Sequence, residues 1–333
     1  MVVLVLCVAA IAQEGEQQFA NLGDFKLESG EVIRDCRVGY RTFGQLNSDK
    51  SNAILFPTWF TGTTKELAEN FGPGKLVDSS KYFVVALDAL GDGVSTSPSN
   101  SRLQPRMKFP RITIRDMVNS QHQLATEVLH LRHVRAVMGI SMGGMQTFQW
   151  MVAYPEFMDK AIPIVGSPRL AAYDVMLWTA ENDAIRNDPA WKNGEYAANP
   201  ARKALAEFEA LAITTPGKYN HDHTPQKALE SVEKAKNDPA FDANDHIRQS
   251  EAMMALDVSA PFGGSMEKAA QAVRAKVLVI VNATDHMVTP GPALEFGKLL
   301  NAEVMELNNE CGHLLLECEP AKVNAAVADF LAK

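Results

Sequence analysis

The residues with the clearest chemical meaning lie in the stretch VMGISMGGMQTFQW, residues 137–150. Ser141 stands between Gly139 and Gly143 in the pattern G-x-S-x-G. The apolar run before the serine predicts a strand, and the residues after it predict a helix that ends at Pro155. A sharp turn between strand and helix exposes a serine hydroxyl for attack, and the glycines leave room for that turn. The pattern favours a nucleophilic serine over an ordinary tight turn.

A serine hydroxyl is a weak nucleophile unless a base removes its proton and an acid orients the base. Asp285 follows the apolar segment KVLVIVNAT, and His313 follows EVMELNNECG. Both follow predicted strands, in the chain order serine, acid, histidine that this kind of turn uses. We predict that His313 is the base and Asp285 its orienting acid. Glu310 is the alternative acid, and we expect His286 to point away from Asp285.

The remaining histidines are weaker candidates. Those at 122, 130 and 133 lie on or just after a predicted helix, where packing or solvation is the usual role. The sequence HDH at 221–223 resembles a metal cluster, but two histidines in a polar loop are a poor match to known zinc spacings. We predict no metal site, and the chemistry requires no organic cofactor.

Attack on a carbonyl carbon creates an oxyanion, which needs preorganised N–H donors. The backbone N–H of Met142, directly after the nucleophile, is the first candidate. The second donor is expected from the loop after NAILFPTW, where Trp59 and Phe60 are the candidates and Phe60 is preferred.

The elements that must position these residues alternate along the chain between apolar strands and helical segments. This alternation is typical of a mostly parallel sheet covered on both faces. The predicted strands are NAILFPTW, YFVVALDAL, VRAVMGI, AIPIVG, KVLVIVNAT and EVMELNN, after an N-terminal hairpin formed by FKLESG and CRVGYRTFG. A helix is predicted for IRDMVNSQHQLATEVLHL and another for the closing segment EPAKVNAAVADFLAK.

One hundred-residue block, 167–266, interrupts this alternation. It is rich in Ala, Glu, Lys, Asn and Asp, and it predicts helices over 174–188, 199–213 and 225–238. We predict a helical cap there, inserted between two strands of a core made of residues 13–166 and 267–333. Within the cap, Trp178 is a candidate for a substrate pocket or a dimer interface.

Composition limits the possible partners. The chain has 333 residues and a net charge of −8, which argues against a nucleic-acid partner. No apolar run approaches the length of a membrane span. Residues 1–12 resemble a signal peptide without its usual basic start, so export is predicted if this leader is real and a cytoplasmic location otherwise. Beyond Cys7 there are three cysteines (Cys36, Cys311 and Cys318), an odd number that we interpret as buried thiols.

Taken together, GISMGGMQTFQW, FGPGKLVDSSKYFVVALD, STSPSN, FPRITIRDMVNSQHQL and GHLLLE resemble the homoserine O-acetyltransferase family of α/β hydrolases. The resemblance covers most of the chain and is weakest in the cap. It implies an α/β-hydrolase fold with a helical cap and an acyl-serine intermediate. It also implies a small-molecule acyl donor, either an ester or acyl-coenzyme A with an alcohol acceptor, and a possible homodimer formed through the cap.

The sequence departs from the acetyltransferase pattern at two positions that bind a zwitterionic acceptor. Leu314 follows His313 where that family has an Asp, and the cap segment KALAEFEALAITT has Glu209 near the place of an Arg. The segment PTWFTG, with Trp59 as a candidate pocket residue, looks more like the ester-hydrolysing branch. We therefore expect hydrolysis of short acyl esters such as acetates, with Leu314 on the pocket wall. The alternative is acetyl transfer from acetyl-coenzyme A to homoserine or a related alcohol.

Overall fold

The computed structural model describes residues 15–237 and 241–333, so the predicted leader at 1–12 lies outside the described residues. Eight strands form a single sheet in the order β1-β2-β4-β3-β5-β6-β7-β8. The strands are β1 Gln18–Lys26, β2 Val32–Phe43, β3 Ala53–Pro57, β4 Phe83–Leu87, β5 Val134–Ile140, β6 Met158–Ile164, β7 Lys276–Asn282 and β8 Glu303–Leu307.

The sheet is parallel from β4 to β8 and antiparallel at the edge formed by β1 and β2. Strand β3 has every residue buried, because helices cover both faces of the sheet at its centre. This confirms the predicted mostly parallel sheet. The carboxyl ends of parallel strands meet at one edge, so the loops after β3, β5, β7 and β8 can converge.

The N-terminal hairpin begins earlier than the sequence suggested. Strand β1 starts at Gln18, whereas FKLESG contributes only its first two residues to it. Most residues of β1 are wholly or partly exposed, so its sequence lacks the apolar run of a central strand. The turn of this hairpin lies between Leu27 and Glu31, where the N–H of Leu27 donates to the carbonyl of Glu31 at 2.9 Å.

Twelve α-helices lie among the described residues. Their bounds are α1 Thr64–Leu67, α2 Ile114–Gln123, α3 Met142–Ala153, α4 Ala172–Arg186, α5 Ala204–Ala212, α6 Pro216–Asp222, α7 Pro225–Lys236, α8 Ala243–Met254, α9 Met266–Ala272, α10 Gly291–Leu299, α11 Leu315–Cys318 and α12 Pro320–Ala332. None of the helices in the described ranges combines the length and apolar character needed to cross a bilayer.

The segment between β6 and β7 is helical, and within its described residues it contains no strand. Helices α4, α5 and α7 correspond to the three predicted there. Helix α8 was not predicted, because many of its polar side chains are buried and the usual polar face is therefore missing. Its Arg248 donates to the carbonyl of Phe109 at 2.9 Å, and its Gln249 donates to that of Leu90 at 3.3 Å. These bonds join α8 to the loops above the sheet.

The interpretation of the three cysteines as thiols is correct for one of them. Cys36 on β2 is a free buried thiol, and burial raises its pKa to about 12. Cys311 and Cys318 instead form a disulfide, with Cα atoms 6.1 Å apart. The odd count hid this pair, because spacing alone does not specify which cysteines meet in space.

Candidate active site

Ser141 occupies a strained turn between β5 and α3. Its backbone has φ 57° and ψ −120°, a conformation that non-glycine residues rarely adopt. The two flanking glycines allow the close approach. A Cβ on Gly139 would lie 2.5 Å from the carbonyl carbon of Gly143, and one on Gly143 would lie 2.5 Å from the carbonyl oxygen of Pro57. The turn is held by the N–H of Ser141, which donates to Ile164 at 2.8 Å.

The side chains of Ser141, His313 and Asp285 form one chain of hydrogen bonds. His313 Nε2 lies 2.8 Å from Ser141 Oγ, and His313 Nδ1 lies 2.7 Å from Asp285 Oδ2. The other carboxylate oxygen of Asp285 accepts from the N–H groups of Met287 and Val288 at 2.9 and 3.0 Å. All three side chains are buried. This arrangement can move a proton from the serine to the imidazole and stabilise the resulting charge. The assignment of these roles stays a prediction.

The two competing residues lie elsewhere. Glu310 accepts a hydrogen bond from the hydroxyl of Thr215 at 2.5 Å. His286 has its ring nitrogens 3.3 Å from the carbonyl of Thr284 and 3.0 Å from that of Leu211. Neither residue bonds Ser141 or His313.

The predicted oxyanion donors are the backbone N–H groups of Met142 and Phe60. Met142 is the first residue of α3, where an N–H has no partner within the helix. Phe60 lies in the loop after β3. Across the described chain, no acceptor receives the N–H of Met142 or Phe60. Both residues therefore remain the predicted oxyanion donors.

The loop that carries Phe60 is held at two points just after Phe60. Asp88, at the end of β4, accepts from the N–H and hydroxyl of Thr64 at 2.7 and 2.9 Å. The N–H of Thr61 donates to Gln249 of α8 at 3.0 Å. Burial raises the pKa of Asp88 and, together with the charge of Asp88, raises the pKa of Asp92 well above its usual range. Sequence reasoning missed these acids: Asp88 lies inside the predicted strand YFVVALDAL, and Asp92 lies two residues after it.

Asp174 joins the helical insertion to the loop that carries Asp285. It lies on α4 and accepts from the N–H and hydroxyl of Thr289 at 3.1 and 3.2 Å. Burial raises its pKa, and the nearby charge of Asp285 adds to the effect. The sequence signal for this residue was its place in the first turn of a predicted helix, where acids stabilise the helix end.

The disulfide encloses the segment that carries the histidine. Cys311 lies two residues before His313, and Cys318 ends α11. The cross-link therefore closes a short loop around the imidazole and restricts its backbone.

A cavity of about 770 Å³ opens onto Ser141 and His313. The candidate pocket residues Trp59, Trp178 and Leu314 all lie on its wall, together with Phe60. Their role in substrate binding stays a prediction.

The cavity also has charged residues that the sequence did not assign. Arg202, just before α5, lies on the wall and forms an ion pair with Glu209. An arginine therefore does lie near the place where the cap seemed to have only an acid, but Glu209 offsets its charge. Glu181 is a further buried acid on the wall. Over residues 15–237 and 241–333, no three His, Cys, Asp or Glu side chains are grouped to hold a metal ion.

Comparison with known proteins places the chain among related enzymes. The family model for the alpha/beta hydrolase fold matches residues 54–320. An ethyl acetate hydrolase of Pseudomonas veronii is 32% identical, and the match covers 90% of both chains. A homoserine O-acetyltransferase of Geotalea daltonii is 30% identical over 93% of this chain and 95% of its own length.

A solved structure has the same architecture. An acetylester hydrolase from Corynebacterium glutamicum superposes with a TM-score of 0.89 and 26% identity, covering 96% of each chain. The predicted resemblance to a homoserine O-acetyltransferase-like family with an ester-hydrolysing branch is confirmed.

Proposed function

The chain belongs to the α/β-hydrolase family, and on that basis we propose that it hydrolyses short-chain carboxylic esters through an acyl-serine intermediate. The observation that carries the proposal is the hydrogen-bonded chain from Ser141 through His313 to Asp285 at the base of an open cavity. The two similar proteins described above are an ethyl acetate hydrolase and an acetylester hydrolase. Their substrates support the proposal that the acyl group is small.

In the first half of the proposed reaction, Ser141 Oγ attacks the ester carbonyl while His313 Nε2 takes its proton. The carbonyl oxygen becomes an oxyanion, which the N–H groups of Phe60 and Met142 stabilise. His313 then gives the proton to the departing alcohol, and the acyl group stays on the serine. Asp285 holds the imidazole in the tautomer with a proton on Nδ1 and stabilises its charged form.

In the second half, water enters the cavity and loses a proton to His313 as it attacks the acyl carbon. The collapse of the second oxyanion releases the carboxylic acid and returns the proton to Ser141. The two half-reactions together consume one ester and one water and need no oxidant, reductant or metal.

Two features favour water over an amino-acid acceptor. Leu314 gives the cavity wall an apolar side chain directly after the histidine, where it offers no partner to an ammonium group. Arg202 is paired with Glu209, so a substrate carboxylate would have to compete for it. Desolvating a zwitterion without charged partners is costly.

Acetyl transfer from acetyl-coenzyme A to homoserine or a related alcohol is the second candidate. The similarity to the Geotalea daltonii acetyltransferase over nearly the full chain favours it, as does the presence of Arg202 on the cavity wall. Both reactions pass through the same acyl-serine, so they differ in the donor that forms it, an ester or acetyl-coenzyme A, and in the acceptor that removes the acyl group.

One matched experiment separates the two reactions. Purified protein is given para-nitrophenyl acetate and, separately, acetyl-coenzyme A with homoserine, with the Ser141→Ala variant as control. We expect turnover of the acetate, little consumption of acetyl-coenzyme A, and loss of both activities in the variant. Efficient transfer to homoserine without ester hydrolysis would reverse the proposal.

We also propose that residues 167–266 act as a cap over the cavity, and that the protein forms a homodimer through it. Size-exclusion chromatography with light scattering tests the dimer, and a monomeric mass at micromolar concentration rejects it.

Export with removal of residues 1–12 is a separate proposal. The Cys311–Cys318 disulfide supports it, because such bonds persist in oxidising compartments. Mass spectrometry of the mature N-terminus checks it, and an intact leader on active protein in the cytoplasm contradicts it.

A further inference from the structure

A buried carboxylate on the cavity wall has no part in the mechanism above. Glu181 lies on α4, and its side chain has 0% exposed surface. It lines the same cavity as Ser141 and His313. Neither of its carboxylate oxygens accepts a hydrogen bond from any residue that the structure describes. Burying such a group without a hydrogen-bond donor is costly, so a donor group that enters the cavity and bonds Glu181 would be stabilised there.

Two further polar groups near Glu181 also lack partners in the described chain. Trp178 lies one helical turn earlier on α4 and lines the same cavity, and its indole Nε1 is unpaired among these residues. His246 on α8 has its Nε2 3.5 Å from Glu181 Oε2, too far for a strong hydrogen bond. We call these three residues the Glu181 cluster.

Aromatic contacts join the Glu181 cluster to the reacting centre. The ring of Phe60 packs edge-on against Trp178 at 5.1 Å and against His246 at 4.7 Å between centroids. Phe60 is also the predicted oxyanion donor. Phe60, Trp178 and Glu181 border the same cavity as Ser141 and His313, so a substrate group held by Glu181 and Trp178 shares that cavity with the ester carbonyl.

The donors and acceptors of the cluster select the ligand chemistry. An ionised carboxylate only accepts hydrogen bonds, whereas an indole N–H only donates. A hydroxyl group can donate to Glu181 and accept from Trp178 at the same time. An ammonium group would satisfy Glu181 but leave the indole unpaired, and an acidic group would be repelled.

We propose that the Glu181 cluster binds a free hydroxyl group of the ester substrate. This inference rests on the proposed ester hydrolysis and narrows its substrate class to hydroxylated esters. The hydroxyl can belong to the alcohol, as in a monoester of a diol, or to the acyl group, as in an ester of a hydroxy acid.

The test compares kcat/KM for pairs of esters with the same shape. Hydroxyethyl acetate against propyl acetate tests the alcohol side, and methyl glycolate against methyl propanoate tests the acyl side. We expect the hydroxylated ester to be preferred by about 10- to 100-fold in one of the two pairs, because hydrogen bonds to charged groups are among the stronger ones. A third pair, dimethylaminoethyl acetate and isoamyl acetate, tests whether the cluster prefers an ammonium group to a hydroxyl group.

Three variants identify the source of the preference. Glu181→Leu should reduce the ratio within the preferred pair to about one, and Trp178→Phe should lower it in part. Asp183→Asn neutralises an exposed acid two positions after Glu181 on α4 and should leave the ratio unchanged. If Glu181→Leu does not fold, Glu181→Gln gives the same comparison with a smaller expected decrease.

The outcomes are distinct. Wild-type protein that hydrolyses both members of each pair equally well overturns the hydroxyl site and leaves ester hydrolysis intact. A preference for the ammonium ester, or a hydroxyl preference that survives in Glu181→Leu, also overturns it. Wild-type protein that hydrolyses none of the esters contradicts the proposed function itself.

Discussion

Single residues determine whether the site can do chemistry. The imidazole of His313 touches both its neighbours within hydrogen-bond distance, and Asp285 is held by two backbone N–H groups that leave its other oxygen for the histidine. The serine is strained, the acid is oriented and the base lies between them. Replacing each of the three side chains should therefore lower activity by a different factor.

Replacing the nucleophile should lower kcat more than any other substitution in the site. We expect Ser141→Ala to lower kcat on an acetate ester by a factor of about 10⁶, and Asp285→Asn by about 10⁴ because it favours the wrong tautomer of His313. Steady-state kinetics with para-nitrophenyl acetate measure both. Glu310→Gln is the matched control, since Glu310 bonds Thr215 and not the histidine. A larger loss in the Glu310 variant than in the Asp285 variant would assign the acid to Glu310.

Asp92 should make stability depend on pH. Burial and the charge of Asp88 raise its pKa in the folded protein well above its ordinary value. The folded state therefore holds a proton that the unfolded state has lost, and the stability gained from it is present at acid pH and lost as pH rises through the raised pKa. We expect Asp92→Asn to reduce the fall in Tm between about pH 4 and pH 8.

The control for Asp92 is Asp329→Asn, an exposed acid on α12. The two variants are compared by thermal denaturation across the same pH series. An unchanged pH dependence in Asp92→Asn would show that this carboxyl does not contribute.

At the scale of elements, two close contacts hold the segments that carry Ser141 and His313 in place. Helix α3 touches the end of β3 where Gly143 has no side chain, and the disulfide closes the loop around His313. The first contact packs the helix that follows Ser141 against the parallel sheet, and the second joins the loop before His313 to the end of α11.

Adding one methyl group at Gly143 should separate these elements. The new Cβ would lie 2.5 Å from the carbonyl oxygen of Pro57, so β3 or α3 must shift. We expect Gly143→Ala to lower the free energy of unfolding by about 2 to 3 kcal/mol and to reduce kcat. Gly291→Ala is the control, because no atom lies within 4 Å of its added Cβ. Chemical denaturation measures both variants, and equal stability would contradict the close packing.

Opening the disulfide should loosen the loop that carries His313. We expect Cys318→Ala to lower the free energy of unfolding by about 2 to 3 kcal/mol, as the closure of a short loop suggests, and to lower kcat. Treatment of the wild type with a reductant should reproduce the loss of activity, while the variant should not respond. If complete reduction of the disulfide leaves the activity of the wild type unchanged, the cross-link does not position the histidine.

Across the whole molecule, the sequence predicted the structure correctly where a local pattern of residues determines it. The apolar runs predicted the parallel sheet, and G-x-S-x-G predicted the turn at Ser141. Contacts between distant segments left no such pattern. The bonds from α8 to the core loops and the burial of Glu181 depend on the three-dimensional arrangement. Helix α8 escaped prediction for the same reason, because its polar residues find partners inside the protein. The Cys311–Cys318 pair is close in sequence, but spacing alone does not specify which of three cysteines pair.

The most direct test of the account is to trap the acyl-enzyme. Wild-type protein is mixed with para-nitrophenyl acetate, quenched in acid at early times, digested and measured by mass spectrometry. We expect one acetyl group on the peptide that contains Ser141, formed and lost during turnover, and none in Ser141→Ala. Full ester turnover with no acetyl group on that serine would contradict it.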